Sequence, residues 1–152
     1  MLPTQSGGPG AFAQFDLNRV PTPCYVVDEE KIHSNLQILR DIGDRSGARV
    51  LLALKAFSMW SLAGLVEEYL DGCCASGLWE SRLAREKNFV PQKNEKVLST
   101  FSPAFRKEEI EEICSLSDHL IFNSPHAFGL QYARKAGVST GLRINPELSL
   151  GL

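Results

Sequence analysis

Short apolar runs alternate along the chain with longer segments whose apolar residues recur at helical spacing. After Asp28, a plausible N-cap, Ile32, Leu36 and Leu39 stand at i, i+4 and i+7, which predicts a helix to about Asp41. Further helices are predicted at 59–69 with Ser58 as cap, at 78–87, around Ile110 and Ile113, and at 125–137 with Ser124 as cap. Strands are predicted at 24–27, 50–54, 73–75, 96–98, 119–122 and 141–144.

This alternation is the βα repeat of a parallel sheet, either doubly wound or closed into a barrel. The pattern stops at 148–152, just after a strand and without a closing helix. We therefore expect the chain to be part of a larger fold. Residues 1–21 contain a Gly- and Pro-rich stretch and are predicted to be a flexible N-terminal segment, so that the globular portion covers residues 22–152.

The run 50–54, Val-Leu-Leu-Ala-Leu, leads directly into Lys55. A continuous apolar run of this length is typical of a strand buried on both faces, with Lys55 at its carboxyl end. A lysine at a strand end has two interpretations. It can bury its stem and keep its ammonium in water, or it can be an amine in a partly dry pocket that attacks a carbonyl carbon.

Composition excludes several classes of function. The formal net charge of −2, without a block of like charges, argues against a nucleic-acid partner. The four cysteines and three histidines show no metal-ligand spacing, so no metal site and free thiols in a reducing cytoplasm are expected. No apolar run is long enough for a membrane helix, and residues 1–15 lack the basic start of a secretory signal. Dinucleotide-binding and serine-hydrolase glycine motifs are absent from the sequence.

If the sheet is parallel, Lys55, Ser76, Asn123 and Arg143 all fall near the carboxyl ends of strands and share one edge. Arg143 lies within an apolar strand, where a charge needs a partner. That partner is either a carboxylate of the chain or an anionic oxygen of a ligand. Ser76 is the kind of residue that more often caps the following helix than touches a ligand, and Cys73 and Cys74 are expected to be small core residues.

Six motifs resemble the pyridoxal-phosphate decarboxylases of the alanine-racemase-like (fold type III) barrel group, and within that group the carboxynorspermidine (carboxyspermidine) decarboxylases. The motifs are Thr-Pro-Cys-Tyr-Val-Val-Asp at 22–28, Leu-Ala-Leu-Lys-Ala-Phe-Ser-Met-Trp-Ser at 52–61, Ala-Ser at 75–76, Phe-Ser-Pro-Ala-Phe-Arg at 101–106, Asp-His-Leu-Ile-Phe-Asn-Ser at 118–124 and Gly-Leu-Arg-Ile-Asn-Pro-Glu at 141–147. The Lys-Ala-Phe-Ser-Met-Trp-Ser and Leu-Arg-Ile-Asn-Pro-Glu pair is the most specific signal.

The resemblance implies an α/β fold, about the first five βα units of a (β/α)8 TIM-type barrel, with 24–27 as one strand of a missing C-terminal β-domain. It implies pyridoxal 5′-phosphate as cofactor, Lys55 as the residue that forms the Schiff base, and Arg143 and Ser76 as further cofactor-binding residues. The wider decarboxylase group has an aspartate one residue before the Cys-Ala-Ser stretch, where this chain has Cys73, so the resemblance implies no acidic role at that position.

The implied reaction is decarboxylation of carboxynorspermidine or carboxyspermidine to norspermidine or spermidine by a cytoplasmic homodimer that takes a small polyamine amino acid. Diaminopimelate or another amino acid is the alternative substrate within the same fold. A second alternative is a truncated, non-catalytic fragment. The phosphate loop and the partner of the pyridine nitrogen are not found in this sequence, so we expect the chain to be inactive by itself.

Overall fold

Five short strands form one parallel sheet in the computed structural model, which describes residues 12, 14–91 and 95–148. They are β1 (Leu52–Ala53), β2 (Gly72–Ala75), β3 (Val97–Phe101), β4 (His119–Phe122) and β5 (Ser139–Leu142). The spatial order is β1-β2-β3-β4-β5, and every neighbouring pair is parallel. The chain is therefore mixed α/β, with strands that follow one another in space as in sequence.

Five helices alternate with these strands in the described ranges. They are α1 (Glu29–Ser46), α2 (Ala63–Tyr69), α3 (Leu78–Glu86), α4 (Ile110–Leu116) and α5 (Leu130–Ala136). Short 3₁₀ turns occur at Leu17–Arg19 and Trp60–Leu62. Within the described part, no helix combines the length and the apolar character that a membrane crossing requires.

The first helix begins where the sequence predicts and ends later. Asp28 is its N-cap and accepts a hydrogen bond from the amide of Lys31 at 3.2 Å. The helix continues past Asp41 to Ser46, because residues 40–45 form two i,i+4 ion pairs that support another turn. Gly47 then ends it with a φ of +70°, a conformation that glycine adopts without strain.

Two predicted caps are wrong. Ser58 caps nothing, since the next segment starts as a 3₁₀ turn and becomes α-helical only at Ala63. The Ser124 hydroxyl accepts from the amide of His126 in a local turn, so the last helix starts at Leu130 and not at Pro125. The predicted end of that helix at Gly137 is confirmed.

The segment 24–27 forms no strand. A strand needs a neighbour with which to exchange backbone hydrogen bonds, and no described segment pairs with it. Tyr25 is accordingly 95% exposed. Of the other predictions, most of the flexible segment 1–21 and the last residues, 149–152, lie outside the described residues.

All five helices contribute buried or partly buried side chains to clusters on one face of the sheet. One cluster joins α1–α3 to the first three strands through residues such as Leu54, Cys73 and Leu98, and the other joins α3–α5 to Leu120 and Phe122 of β4. The sheet is covered on this face alone within the described chain.

The opposite face, which we call the helix-free face, is open. Its residues are each half-buried or exposed and are Ala53, Cys74, Ser99, Phe101, His119, Ile121, Ser139 and Gly141. The prediction that 50–54 is buried on both faces is therefore wrong: Leu54 is buried, whereas residues 50–53 are half-buried. A doubly wound sheet reverses its strand order and has helices on both faces, and this sheet does neither in its described part.

Candidate functional site

Lys55 lies in a tight turn directly after β1 and is exposed. The backbone around it is fixed on both sides. The amide of Leu54 donates to the carbonyl of Cys74 at 3.1 Å, and the amides of Ala56 and Phe57 donate to the carbonyl of Ala53 at 2.9 and 3.2 Å. Within the described part, the Lys55 ammonium makes no ion pair with a carboxylate, so the amine remains available to a ligand.

The thiol of Cys74 is the neighbour of this lysine on β2. Cys74 is paired in register with Ala53, two residues before Lys55, and is exposed on the helix-free face. Burial raises the pKa of the Cys74 thiol, and the positive charge of Lys55 partly offsets that rise. The prediction of a core role is wrong for Cys74 and confirmed for Cys73, whose side chain faces the helices and is fully buried. Burial raises the pKa of Cys73 to about 12.

Arg143 directly follows β5 and is also exposed on the helix-free face, so the prediction that it lies within a strand at 141–144 is wrong: the strand is Ser139–Leu142. Its amide donates to the carbonyl of Phe122 at 2.8 Å, which extends the ladder between β4 and β5 by one residue. Its guanidinium lies over the ring of Phe101, 5.3 Å from the ring centroid. Among the described residues no carboxylate pairs with it, so the intramolecular ion pair that the sequence left open does not form there.

Ser76 follows β2 at the same edge of the sheet and has a different role. Its amide and its hydroxyl both donate to Oε2 of Glu80, each at 2.8 Å. The serine does not cap α3, whose N-cap is Gly77. The Glu80 carboxylate instead satisfies the amide that precedes the helix, as in one half of a capping box.

The structure places Lys55 and Arg143 on one face but does not bring them together. They follow β1 and β5, the first and last strands in the spatial order of the described part, so three strands lie between them. Each has its own neighbour, Cys74 or Phe101. Among the described residues no group of three or more side chains is arranged to hold a metal ion.

Sequence reasoning missed Cys74 and Phe101 as members of this face. The signal that could have found them is the period of two along each strand, combined with the parallel register. That register aligns Ala53 with Cys74, and Phe101 with Ile121 and Gly141. Register between strands is a tertiary property, so no short motif records it.

Comparison with known proteins places the chain beside polyamine decarboxylases. No family model matches it. The chain is 43% identical over 132 residues, 87% of its length, to the carboxynorspermidine/carboxyspermidine decarboxylase of Campylobacter jejuni subsp. jejuni serotype O:6, and covers 33% of that protein. It is 34% identical over 136 residues to the carboxyaminopropylagmatine decarboxylase of Synechocystis sp., of which it again covers 33%.

A solved structure gives the same result. The crystal structure of carboxynorspermidine decarboxylase complexed with norspermidine, from Campylobacter jejuni, matches with a TM-score of 0.75 and 43% identity. The match covers 86% of this chain and 34% of that one. The resemblance to carboxynorspermidine decarboxylases is thus confirmed, and the chain spans about a third of the length of the relatives it matches.

Proposed function

We propose that this chain is part of a pyridoxal-phosphate-dependent decarboxylase of polyamine synthesis that acts on carboxynorspermidine or carboxyspermidine. The observation that supports it most directly is the helix-free face. On that face an exposed amine, Lys55, and an exposed guanidinium, Arg143, both lack a carboxylate partner within the described chain. These two groups suit a ligand that has both a carbonyl carbon and an anionic group.

The proposed architecture is the first five βα units of a (β/α)8 barrel, spanning residues 22–152, with 1–21 as a separate N-terminal segment. Sequential strand order and helices on a single face both support it. In an eight-stranded barrel the first and fifth strands lie on opposite walls. Lys55 and Arg143 would then face each other across the interior, which a flat five-stranded sheet cannot achieve. The segment 24–27 would pair with strands of a further domain.

The donor set of this face fits pyridoxal phosphate. The Lys55 Nζ would be the nucleophile for its aldehyde carbon, and the Arg143 N–H groups would be donors for an oxyanion. When bound, the cofactor supplies the electron sink for the electron pair left as a carboxylate departs as CO₂. Ser76 is the weaker candidate, because its hydroxyl proton is already given to Glu80 and only its oxygen lone pairs remain for a ligand.

The proposed substrate follows from the names of the relatives. An amino acid on a polyamine chain would lose its carboxylate as CO₂ and take up one proton at the same carbon, giving norspermidine or spermidine. A cytoplasmic homodimer is part of this proposal. The alternative substrate is carboxyaminopropylagmatine. It is supported by the name of the relative at 34% identity, a carboxyaminopropylagmatine decarboxylase.

Borohydride trapping tests the cofactor chemistry. The chain is incubated with pyridoxal phosphate, reduced, digested and examined by mass spectrometry. We expect the reduced adduct on Lys55, its loss in Lys55→Ala, and its retention in Lys135→Ala, which removes an exposed lysine of α5. Equal amounts of reduced adduct in the two variants would contradict the role of Lys55. The remaining interpretation would then be a truncated, non-catalytic fragment.

We also expect the chain alone to release no CO₂ from carboxynorspermidine. Its helix-free face is uncovered, and it spans only a third of the relatives' length. Evolution of CO₂ by the isolated chain, above that of Lys55→Ala, would contradict the proposal that the remaining part of the site comes from additional polypeptide.

A further inference from the structure

The side chain of Arg143 reaches across a neighbouring strand. Arg143 follows β5, and the ring beneath its guanidinium belongs to Phe101, the last residue of β3. Between them lies β4, whose Ile121 is in register with both Phe101 and Gly141. The arginine therefore lies over an apolar shelf formed by Phe101, Ile121 and Gly141.

Gly141 leaves room for the side chain of Ile121 on this shelf. A methyl group built on its Cα would meet the Cδ1 atom of Ile121 at 2.7 Å, closer than real side chains approach. The Ile121 side chain thus occupies the space beside Gly141. Because Gly141 has no side chain, Ile121 is the residue of this register line whose side chain lies between Arg143 and Phe101.

The cation–π contact with the Phe101 ring leaves the hydrogen-bond donors of the guanidinium without a carboxylate partner in the described chain. The planar guanidinium carries five N–H donors, and the attraction of its charge to the face of an aromatic ring uses no oxygen acceptor. No carboxylate of the described chain accepts from them. A planar fork of this kind suits two oxygens of one phosphate or carboxylate group.

We propose that Phe101 is a positioning residue, which holds the Arg143 guanidinium on the helix-free face so that its N–H groups can receive an oxyanion of the ligand. The identity of that ligand rests on the proposed function, whereas the contact between Arg143 and Phe101 is independent of it. An exposed arginine without the ring would sample many rotamers, and binding an anion would then have to order them. A cation–π contact at an exposed site corresponds to an affinity change of about two- to five-fold.

Protection of Arg143 from phenylglyoxal, mapped by peptide mass spectrometry, measures this directly. The experiment uses the whole chain with inorganic phosphate in one arm and acetate in the other, and the exposed Arg134 of α5 as internal reference. We expect one anion to protect Arg143 and not Arg134. Protection by phosphate indicates that the site takes a phosphate group, and protection by acetate indicates that it takes a carboxylate.

The variants separate positioning from general structure. Phe101→Leu should raise the anion concentration for half-protection about two- to five-fold, while Phe101→Tyr, which keeps the ring, should restore the wild-type value. Phe105→Leu is the matched control, since that ring packs edge-to-face against Phe122, with the ring centroids 5.3 Å apart, and belongs to the helix-covered side. If Phe101→Leu unfolds, as judged by circular dichroism, Phe101→Met replaces it.

Two results would overturn the inference: wild-type protection in the folded Leu or Met variant, or no protection of Arg143 by either anion in the wild type. Borohydride trapping at Lys55, measured on the same samples, reports on the proposed function separately. If no adduct forms on Lys55 but anions still protect Arg143 in a way that depends on Phe101, the proposed cofactor is refuted and the positioning role of Phe101 stands. The reverse result would refute only the positioning role.

Discussion

Asp118 joins three strands at the amino edge of the sheet. Its amide donates to the carbonyl of Leu98 at 2.9 Å, and its carbonyl accepts from the amide of Ser139 at 3.2 Å. Its Oδ2 accepts twice, from the amide of Leu98 at 2.7 Å and from Arg85 at 2.8 Å. Replacing Asp118 with alanine should therefore destabilise the fold although half of the carboxylate is exposed, its side-chain accessibility being 43%.

The expected loss has two parts. Leaving the Leu98 amide without its acceptor costs about 1–3 kcal/mol, because Leu98 is fully buried. Losing one charged partner of Arg85 costs about 0.5–1 kcal/mol, since the carboxylate is partly solvated and Arg85 keeps its bonds to the carbonyls of Leu116 and Val90. Together the alanine variant should lose about 1.5–4 kcal/mol of unfolding free energy.

Urea unfolding followed by far-UV circular dichroism measures the change. Asp118→Asn keeps an oxygen for the Leu98 amide and should lose only the smaller part, about 0.5–1 kcal/mol. Asp44→Ala is the control: its carboxylate is 61% exposed and pairs with Arg40 within α1, so its loss should cost about 0.5 kcal/mol or less. If Asp118→Ala is no less stable than Asp44→Ala, the aspartate does not stabilise the sheet as argued.

Two further predictions concern titratable groups. Hydrogen bonds from Arg82 at 2.6 and 2.7 Å lower the pKa of Glu112, so this carboxylate stabilises the fold above its unfolded pKa of about 4.3 and ceases to do so as pH falls through the folded value. Glu112→Gln should abolish that part of the acid dependence of the unfolding midpoint, and parallel curves for both proteins would contradict it. Lys55→Ala should raise the pKa of Cys74 further and slow its alkylation at pH 8 relative to the exposed Cys24; an unchanged rate ratio would show that the two side chains are not neighbours.

The local features of the fold were predictable from short stretches of sequence. The strand 119–122 has the predicted bounds because an apolar run between polar residues needs no distant information. The cap at Asp28 and the helix end at Gly137 follow from local hydrogen bonding and from glycine's tolerance of positive φ. The prediction of a strand at 24–27 is wrong because composition alone does not make a strand: the segment has the residues of a strand, but a strand also needs a partner with which to pair.

The tertiary features were not predictable in this way. No role is predicted for Asp71 from the sequence, yet its Oδ2 accepts from the amide of Val50 at 2.8 Å and its carbonyl accepts from the amide of Val97 at 3.0 Å. It does before β2 what Asp118 does before β4. Both aspartates form hydrogen bonds to the segments on either side of them in the sheet, and these segments are distant in sequence. The contact of Arg143 with Phe101 likewise depends on the register of β3, β4 and β5.

The two faces of the sheet differ in chemistry, and that difference favours a ligand site over a second packed layer on the helix-free side. The helix-covered face presents large apolar side chains such as Leu98 and Leu120, both fully buried. On the helix-free face, one register line is polar and runs through Cys74, Ser99, His119 and Ser139, beside the apolar line of Phe101, Ile121 and Gly141. Small polar side chains contribute little to a hydrophobic core, and burying them without partners is unfavourable. A face of this kind is stable beside water or beside a polar ligand, and Lys55 and Arg143 border it at the two outer strands.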